Sequence, residues 1–339
     1  MKAAVLVKTG AATTAFQLRE VPTPVPAPHE VLIAVEGFGL NFADVMARKG
    51  QYQDAPPLPS VIGYDVVGNV TAIGSHVSKI KIGDRVTALT KFGGYAQFAV
   101  SDERAVAIIS DTMPVGEATA LTTQYCTAYY LAAEATNLHK GDTVLIHSAA
   151  GGVGTALLQY CLYQGCETIA TVGSASKAAF VKKAGAHHVI NYTEIDFAKE
   201  VMQLTKGKGV DVIFDAVGGN YVKRGFKILS SGGRILCYGA ADLSNRNVFS
   251  KLKAALDFGI YHPAEFMMNS KSMLGVNMLR IAENKPETLQ RCLEKVVQLY
   301  HEKVFQPQVG NLFPIEQLAA AHEFLESRKS TGKITVLWW

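Results

Sequence analysis

Cysteine is scarce and unpatterned in this sequence. The five present, Cys126, Cys161, Cys166, Cys237 and Cys292, are an odd number with no CxxC pair, which argues against a disulfide framework or a zinc ribbon and fits a reducing compartment. The nine histidines contain no HExxH; His187-His188 reads as a strand-edge pair and His147 as the end of a buried strand. No unbroken apolar run reaches the roughly 18 residues of a membrane span, and "MKAAVLV" is shorter than a signal-peptide core and lacks a cleavage site. Charge is thin as well. With 18% charged residues, a formal net charge of +4 and no Lys/Arg block, nucleic acid is not an expected partner. The expectation is a soluble, cytoplasmic protein with a small-molecule partner and no membrane span.

What is present is apolar residue in quantity: 48% over 339 residues. At roughly one domain per 150 residues this suggests two domains. Residues 1–123 hold short β-branched runs such as "VLIAVEGFGL", "VVGNVTAIGS" and "YAQFAV" between turn residues, the pattern of a compact, mostly β barrel. The Pro-rich "VPTPVPAPHE" cannot join a sheet interior and reads as an extended connector. Residues 124–262 alternate apolar strands ("TVLIHS", "ETIATVG", "HHVINY", "VDVIFDAVGG", "RILCYG") with helical segments ("GVGTALLQYCLYQG", "SKAAFVKKAGA", "YVKRGFKILSSGG"). Continuous apolar strands alternating with helices predict a doubly wound parallel sheet, the α/β class. Residues 263–339 return to mixed character, with helices expected at 287–301 and 315–327 and a closing strand "KITVLWW".

The stretch "HSAAGGVGTALLQY" stands where the first strand of that sheet meets its first helix. Its pattern, Ala149-x-Gly151-x-x-Gly154, is the dinucleotide fingerprint with alanine for the first glycine. Gly151 would let the backbone approach a pyrophosphate, Gly154 would permit close helix-on-strand packing, and the helix N-terminus would present N–H groups to the anion. Ala150, Gly152 and Val153 complete the loop. Some 20 residues further on, an NAD enzyme carries an acid that accepts from the ribose hydroxyls. Here Gly173 stands instead, followed by Ser174 and Lys177, a hydroxyl and a cation suited to a 2′-phosphate. NADPH is therefore the expected cofactor. Ser174 as a helix cap and Lys177 as a solvated first-turn residue is the alternative reading, and the two roles of Ser174 are compatible. Tyr192 is placed near the adenosine end or, equally, on the surface after a strand.

The segments "GLNFADV", "RKGQY", "VIGYDVVG", "GDRV", "GGYAQ", "TAYYL", "AAGGVG" and "GKITVL" together resemble the medium-chain dehydrogenase/reductase superfamily across the whole chain, in its zinc-free quinone oxidoreductase branch near the homologues of vesicle amine transport protein 1. The resemblance implies a GroES-like catalytic domain completed by C-terminal residues, a Rossmann domain with the cofactor in the cleft between them, and a homodimer formed through exposed Rossmann edge strands such as "RILCYG" or its neighbour. Where zinc-dependent members carry a Cys and a His-Glu pair, this chain has Asn41, Tyr64 and Asp65, so no catalytic zinc is expected. Asn41 corresponds to an asparagine near the nicotinamide ribose and Thr127 to a hydroxyl near the nicotinamide or its phosphate; Gly239 falls in the cofactor set. Tyr52 and Tyr64 are candidates for contacting a flat acceptor. Each also has a structural reading: Asn41 capping a turn, Thr127 packed in a helix, the tyrosines half-buried core. Asp44 and Asp65 are expected to hold local backbone or pair with basic residues. Without a metal the acceptor must be electrophilic by itself, so quinones come first, with NADPH-dependent reduction of enones, or an NADPH-binding regulatory protein with little turnover, as alternatives. Trp338 and Trp339 are expected over the domain's own core, with a place in an interface as the alternative.

Overall fold

The computed structural model describes residues 1–241 and 257–338, in two compact units. One comprises residues 1–126 with 278–338, the other residues 127–277.

The first unit is built on strands whose residues alternate between core and surface. In β3 (Glu30–Leu40), Val31, Ile33 and Val35 point inward while Leu32, Ala34 and Glu36 do not, as a period of two requires for a half-buried sheet. Two register shifts, at Leu32/Ile33 and Val35/Gly37, bend the strand and turn Phe38 and Leu40 into the same core. β3 pairs with β5 (Asp65–Ile73), β7 (Phe98–Asp102) and β16 (Lys333–Leu337); β6 (Arg85–Leu89), β8 (Val106–Ile108) and β15 (Val309–Pro314) complete the sheet in the order β15-β16-β3-β5-β6-β8. A smaller sheet runs β2 (Phe16–Glu20), β1 (Lys2–Leu6), β4 (Ser60–Val61). Phe38 stacks on Tyr95 at 4.3 Å and lies 6.3 Å from Trp338; each such buried aromatic contributes about 1.5–3 kcal/mol through its area alone. Trp338 thus covers its own unit's core, while Trp339 lies outside the described residues. Residues 22–26 join no strand or helix, as their prolines require.

The second unit is a six-stranded parallel sheet ordered β11-β10-β9-β12-β13-β14, from β9 (Thr143–Ile146), β10 (Glu167–Val172), β11 (His188–Asn191), β12 (Val210–Asp215), β13 (Leu229–Cys237) and β14 (Ser272–Gly275). Read by sequence this order is 3-2-1-4-5-6, whose reversal lies between β9 and β12, where the carboxyl ends of the strands form a binding crevice. The helix Gly152–Tyr163 follows β9 and buries Thr155, Ala156, Leu157, Leu158 and Cys161. It stops at Gly165, whose φ of +76° suits a residue without Cβ, and the Cys166 N–H closes the turn on the Cys161 carbonyl at 2.9 Å.

Three details differ from the sequence reading. "ILSSGG", expected at the end of a helix, begins β13 instead: Leu229 already pairs with Val210, and the helix ends at Lys227. "RILCYG" lies in and just after β13, which pairs on both sides, so the edge strand is its neighbour β14. Residues 263–275 carry a helix (Pro263–Asn269) and β14, so they lie with the parallel sheet rather than with the closing segment expected from 263. No helix among the described residues is long and apolar enough to cross a membrane.

Candidate active site

In the parallel unit, the glycine loop joins β9 to its helix through a left-handed residue, Ser148 (φ 55°), so the tight turn is made one position before the alanine that replaces the first glycine. Gly151 is the N-cap of the helix. Ala150, Gly152 and Val153 flank it, and the free N–H groups of the first turn gather here with the positive end of the helix dipole. Gly154 packs so closely on the strand end that a Cβ would lie 2.4 Å from the Ser148 carbonyl oxygen and 2.7 Å from Ala149 Cα. At the end of β10, Gly173 faces the phenol tip of Tyr192, where a Cβ would meet the hydroxyl oxygen at 2.4 Å. Ser174 caps the next helix, Ala175–Lys183, its Oγ accepting from the Lys177 N–H at 3.3 Å and bonding Ser176 Oγ at 3.1 Å. Gly239, after β13, abuts the Ala216 backbone, with 2.4 Å between a Cβ and the carbonyl oxygen. These residues line the carboxyl ends of β9, β10, β12 and β13. Gly154, Gly173 and Gly239 are packed against the chain's own atoms, whereas Gly151 has its nearest neighbour, the Ser148 oxygen, at 3.3 Å and leaves room for close backbone approach to a ligand.

Two buried groups stiffen this end of the sheet. Asp215, at the end of β12, accepts from the Val217 and Gly218 N–H groups at 2.9 and 3.0 Å; burial nevertheless pushes its pKa up to about 6. His147 bonds Thr171 Oγ1 through Nδ1 at 2.9 Å and sits edge-on to Phe197 and Tyr221. Burial, with the Arg224 charge adding to it, lowers its pKa to about 3, so the imidazole is neutral. Thr127 is buried in the short helix Cys126–Tyr129.

In the other unit, Asn41 is the N-cap of the helix Phe42–Arg48, and its own N–H is accepted by the Asp44 carboxylate at 2.7 Å. The capping expectation for Asn41 and the backbone-holding expectation for Asp44 therefore both hold. Burial pushes the Asp44 pKa up to about 7 against that hydrogen bond. The Asn41 side chain is bound at both ends. Nδ2 donates to Asp65 Oδ2 at 2.6 Å, and Oδ1 accepts from Lys333 Nζ at 3.1 Å. Lys333 is also ion-paired to Asp65, and both are fully buried. Thr122 donates to Asp65 Oδ1 at 2.8 Å and Thr123 to the same oxygen; the widened turn 121–125 lets two consecutive hydroxyls reach one atom. Tyr52 and Tyr64 meet edge to face at 6.4 Å. Tyr64 is only 5% exposed, with Phe92 packed at 5.1 Å, whereas Tyr52 is half-buried. Burial raises the pKa of both phenols, so both are protonated donors at neutral pH.

Lys333, Thr122 and Thr123 were not legible as site residues. A lysine opening a strand is ordinarily exposed, and the one local hint is Gly39 in β3: a Cβ there would stand 2.1 Å from Lys333 Cε and 2.6 Å from Nζ, so the glycine makes room for the lysine stem.

Comparison with known proteins adds the lineage. Residues 27–111 match the alcohol dehydrogenase GroES-like domain and residues 152–296 the zinc-binding dehydrogenase family. The synaptic vesicle membrane protein VAT-1 homolog of Rattus norvegicus is 32% identical over 325 residues, covering 95% of this chain and 80% of that protein. The chain belongs to the medium-chain dehydrogenase/reductase superfamily. Within that superfamily it falls in the branch of quinone oxidoreductases and VAT-1 homologues: the quinone oxidoreductase of Homo sapiens is 28% identical over 320 residues, covering 94% of this chain and 92% of that protein. The Escherichia coli quinone oxidoreductase, solved in complex with NADPH, superposes with a TM-score of 0.86 at 28% identity, covering 99% of this chain and all of that one (100%). This medium-chain dehydrogenase/reductase is therefore an oxidoreductase with a GroES-like and a Rossmann unit. Its residues do not fit the zinc of the family description. Asp65, at one ligand position, is already engaged by an ammonium, an amide and two hydroxyls, and the described residues contain no group of three His, Cys, Asp or Glu able to hold a metal.

Proposed function

We propose that this chain is an NADPH-dependent reductase of quinones, passing hydride from the cofactor to the acceptor without a metal. The observation that carries the reading is the Lys333 ammonium bonded to Asn41 and Asp65 at positions where a metal would take its ligands. A second cation there would face that ammonium in a fully buried setting, where like charges repel strongly. With no Lewis acid to polarise a carbonyl, the acceptor has to be electron-poor from the start. Quinones satisfy this; simple ketones do not.

NADPH supplies the hydride. The chain's residues bind and orient it. The Gly151–Gly154 helix start takes the pyrophosphate, Ser174 and Lys177 take the 2′-phosphate, Gly173 and Tyr192 shape the adenosine end, and Thr127 and Asn41 serve the nicotinamide end. Tyr52, the more exposed of the two phenols, offers a ring edge and a proton donor to a flat acceptor, and Tyr64 backs it.

NADPH absorbance followed against a panel of quinones, conjugated enones and simple ketones tests this reading. Turnover of quinones well above the others supports it. Turnover of enones alone would make the protein an enone reductase, and cofactor binding without oxidation of NADPH by any acceptor would make it a binding protein.

A further inference from the structure

We infer that Lys333 and Asp65 are positioning residues: a buried ion pair that locks the Asn41 amide in one orientation for the nicotinamide end of the cofactor. The inference rests on the role given to Asn41 above and extends it to residues remote in sequence.

The argument is one of donor and acceptor identity. A primary amide has an oxygen that only accepts and a nitrogen that only donates, and the two ends are nearly equal in size. Left to itself, such a group turns over freely about its last bond. Here each end faces a partner of opposite kind. The Asp65 carboxylate can only accept, so the group beside it at 2.6 Å has to be the nitrogen. The Lys333 ammonium can only donate, so the group beside it at 3.1 Å has to be the oxygen. Flipping the amide would set N–H against ammonium and oxygen against carboxylate in a site shut off from water. The amide therefore keeps one sense, and its second N–H is aimed in a fixed direction.

The clamp is built for this use rather than for stability. Buried ion pairs are costly to desolvate, and apolar residues of similar volume often serve a fold as well or better. Yet several elements converge to house this pair. Gly39 gives up its side chain to let the lysine stem pass. Thr122 and Thr123 saturate Asp65 Oδ1, leaving Oδ2 to Asn41 and Lys333. Asp44 holds the Asn41 backbone from the other side. Main chain and side chain of Asn41 are thus both fixed.

The test compares NADPH with adenosine 2′,5′-bisphosphate, which carries the adenine end and no nicotinamide. Binding of both is titrated to the wild-type chain, to Lys333→Met and to the charge-balanced Lys333→Met/Asp65→Asn pair, alongside thermal melting. Lys333→Met strands a buried carboxylate and should melt earlier; the double variant should recover most of that loss. NADPH should bind about tenfold more weakly to both, the equivalent of one good hydrogen bond, while the bisphosphate is unaffected. Recovery of NADPH affinity in the double variant would show that the pair only balances charge, and parallel loss of both ligands would show a general structural effect; either overturns the clamp. Gly39→Ala, which leaves both charges and crowds the lysine stem, should give the same selective loss and decides the matter if the lysine variants do not fold. Because the readout needs no acceptor, absence of quinone turnover in the wild type would count against the proposed function and leave the clamp to be judged by binding.

Discussion

Gly151 and Gly154 stand three residues apart in one helical turn, and the structure gives them separable roles that alanine substitution should resolve. At Gly154 an added Cβ would be 2.4 Å from the Ser148 carbonyl oxygen and 2.7 and 3.0 Å from two backbone atoms of Ala149. These are backbone atoms, with no side chain to swing aside, so the helix has to withdraw by about 1 Å to reach ordinary contact distances. Overpacking of this kind costs about 1–3 kcal/mol, a drop of roughly 2 to 10 °C in the melting temperature for a unit of this size. At Gly151 the only close atom among the described residues is the Ser148 oxygen at 3.3 Å, and its φ of −79° is open to any residue. Gly151→Ala should therefore melt within about 1 kcal/mol of wild type, the scale of an exchanged N-cap. On the proposed placement of the pyrophosphate at this helix start, its methyl would instead crowd the phosphate, and NADPH affinity should fall at least about tenfold, equivalent to 1.4 kcal/mol. Calorimetry of the apoprotein and fluorescence titration of NADPH measure both quantities. An unchanged melting temperature for Gly154→Ala, or an early-melting Gly151→Ala with normal NADPH affinity, would refute the division of roles.

Lys177→Ala should weaken NADPH about 10- to 100-fold and leave NADH nearly untouched, since one charge-assisted bond to the 2′-phosphate is worth about 1.5–3 kcal/mol; equal losses in parallel titrations would remove Lys177 from the phosphate site. Asp44, with its pKa raised from 3.8 to about 7, favours the fold fully below pH 3.8 and loses that contribution as pH rises through 7, because the folded chain holds a proton that the unfolded chain releases. Asp44→Asn should accordingly raise the melting temperature at pH 8 by clearly more than at pH 5, where only part of the contribution has been lost, and melts that shift equally at both would exclude a buried, protonated Asp44.

Much of this architecture was legible because its signals are local. The βα turn at Gly151 announces itself within a dozen residues, with an apolar strand before it and an apolar helix after it. The helix stops at Gly165 and Gly185 are equally short-range, each a left-handed glycine where side chains are penalised. Reading failed where a local pattern was shared by two structures. "ILSSGG" continues the preceding helix as well as it starts a strand, and only pairing of Leu229 with Val210 decides the matter. The Asn41 cap could be read from Asp44 three residues on, but its side-chain partners could not: Lys333 is 292 residues away in sequence and Asp65 is 24. The expectation for Asp65 was to hold local backbone or to pair with a basic residue; its partner Lys333 was hidden because no lysine looks buried from its neighbours.

The same geometry explains how one scaffold can serve chemistry with and without a metal. A catalytic zinc site concentrates anionic and soft ligands around a doubly charged ion. Here that place holds one carboxylate and one ammonium, which cancel, and an amide and two hydroxyls that carry no charge. The local field left for a substrate is therefore weak, and its polarity is set by hydrogen-bond direction. What the site loses in power to activate a carbonyl it keeps in fixed geometry, and fixed geometry is what hydride transfer to an already electrophilic carbon requires, because alignment of the two reacting carbons can account for much of the barrier lowering. A metal could enter only by expelling Lys333 from beneath Gly39, where the lysine stem already fills the space a side chain would need.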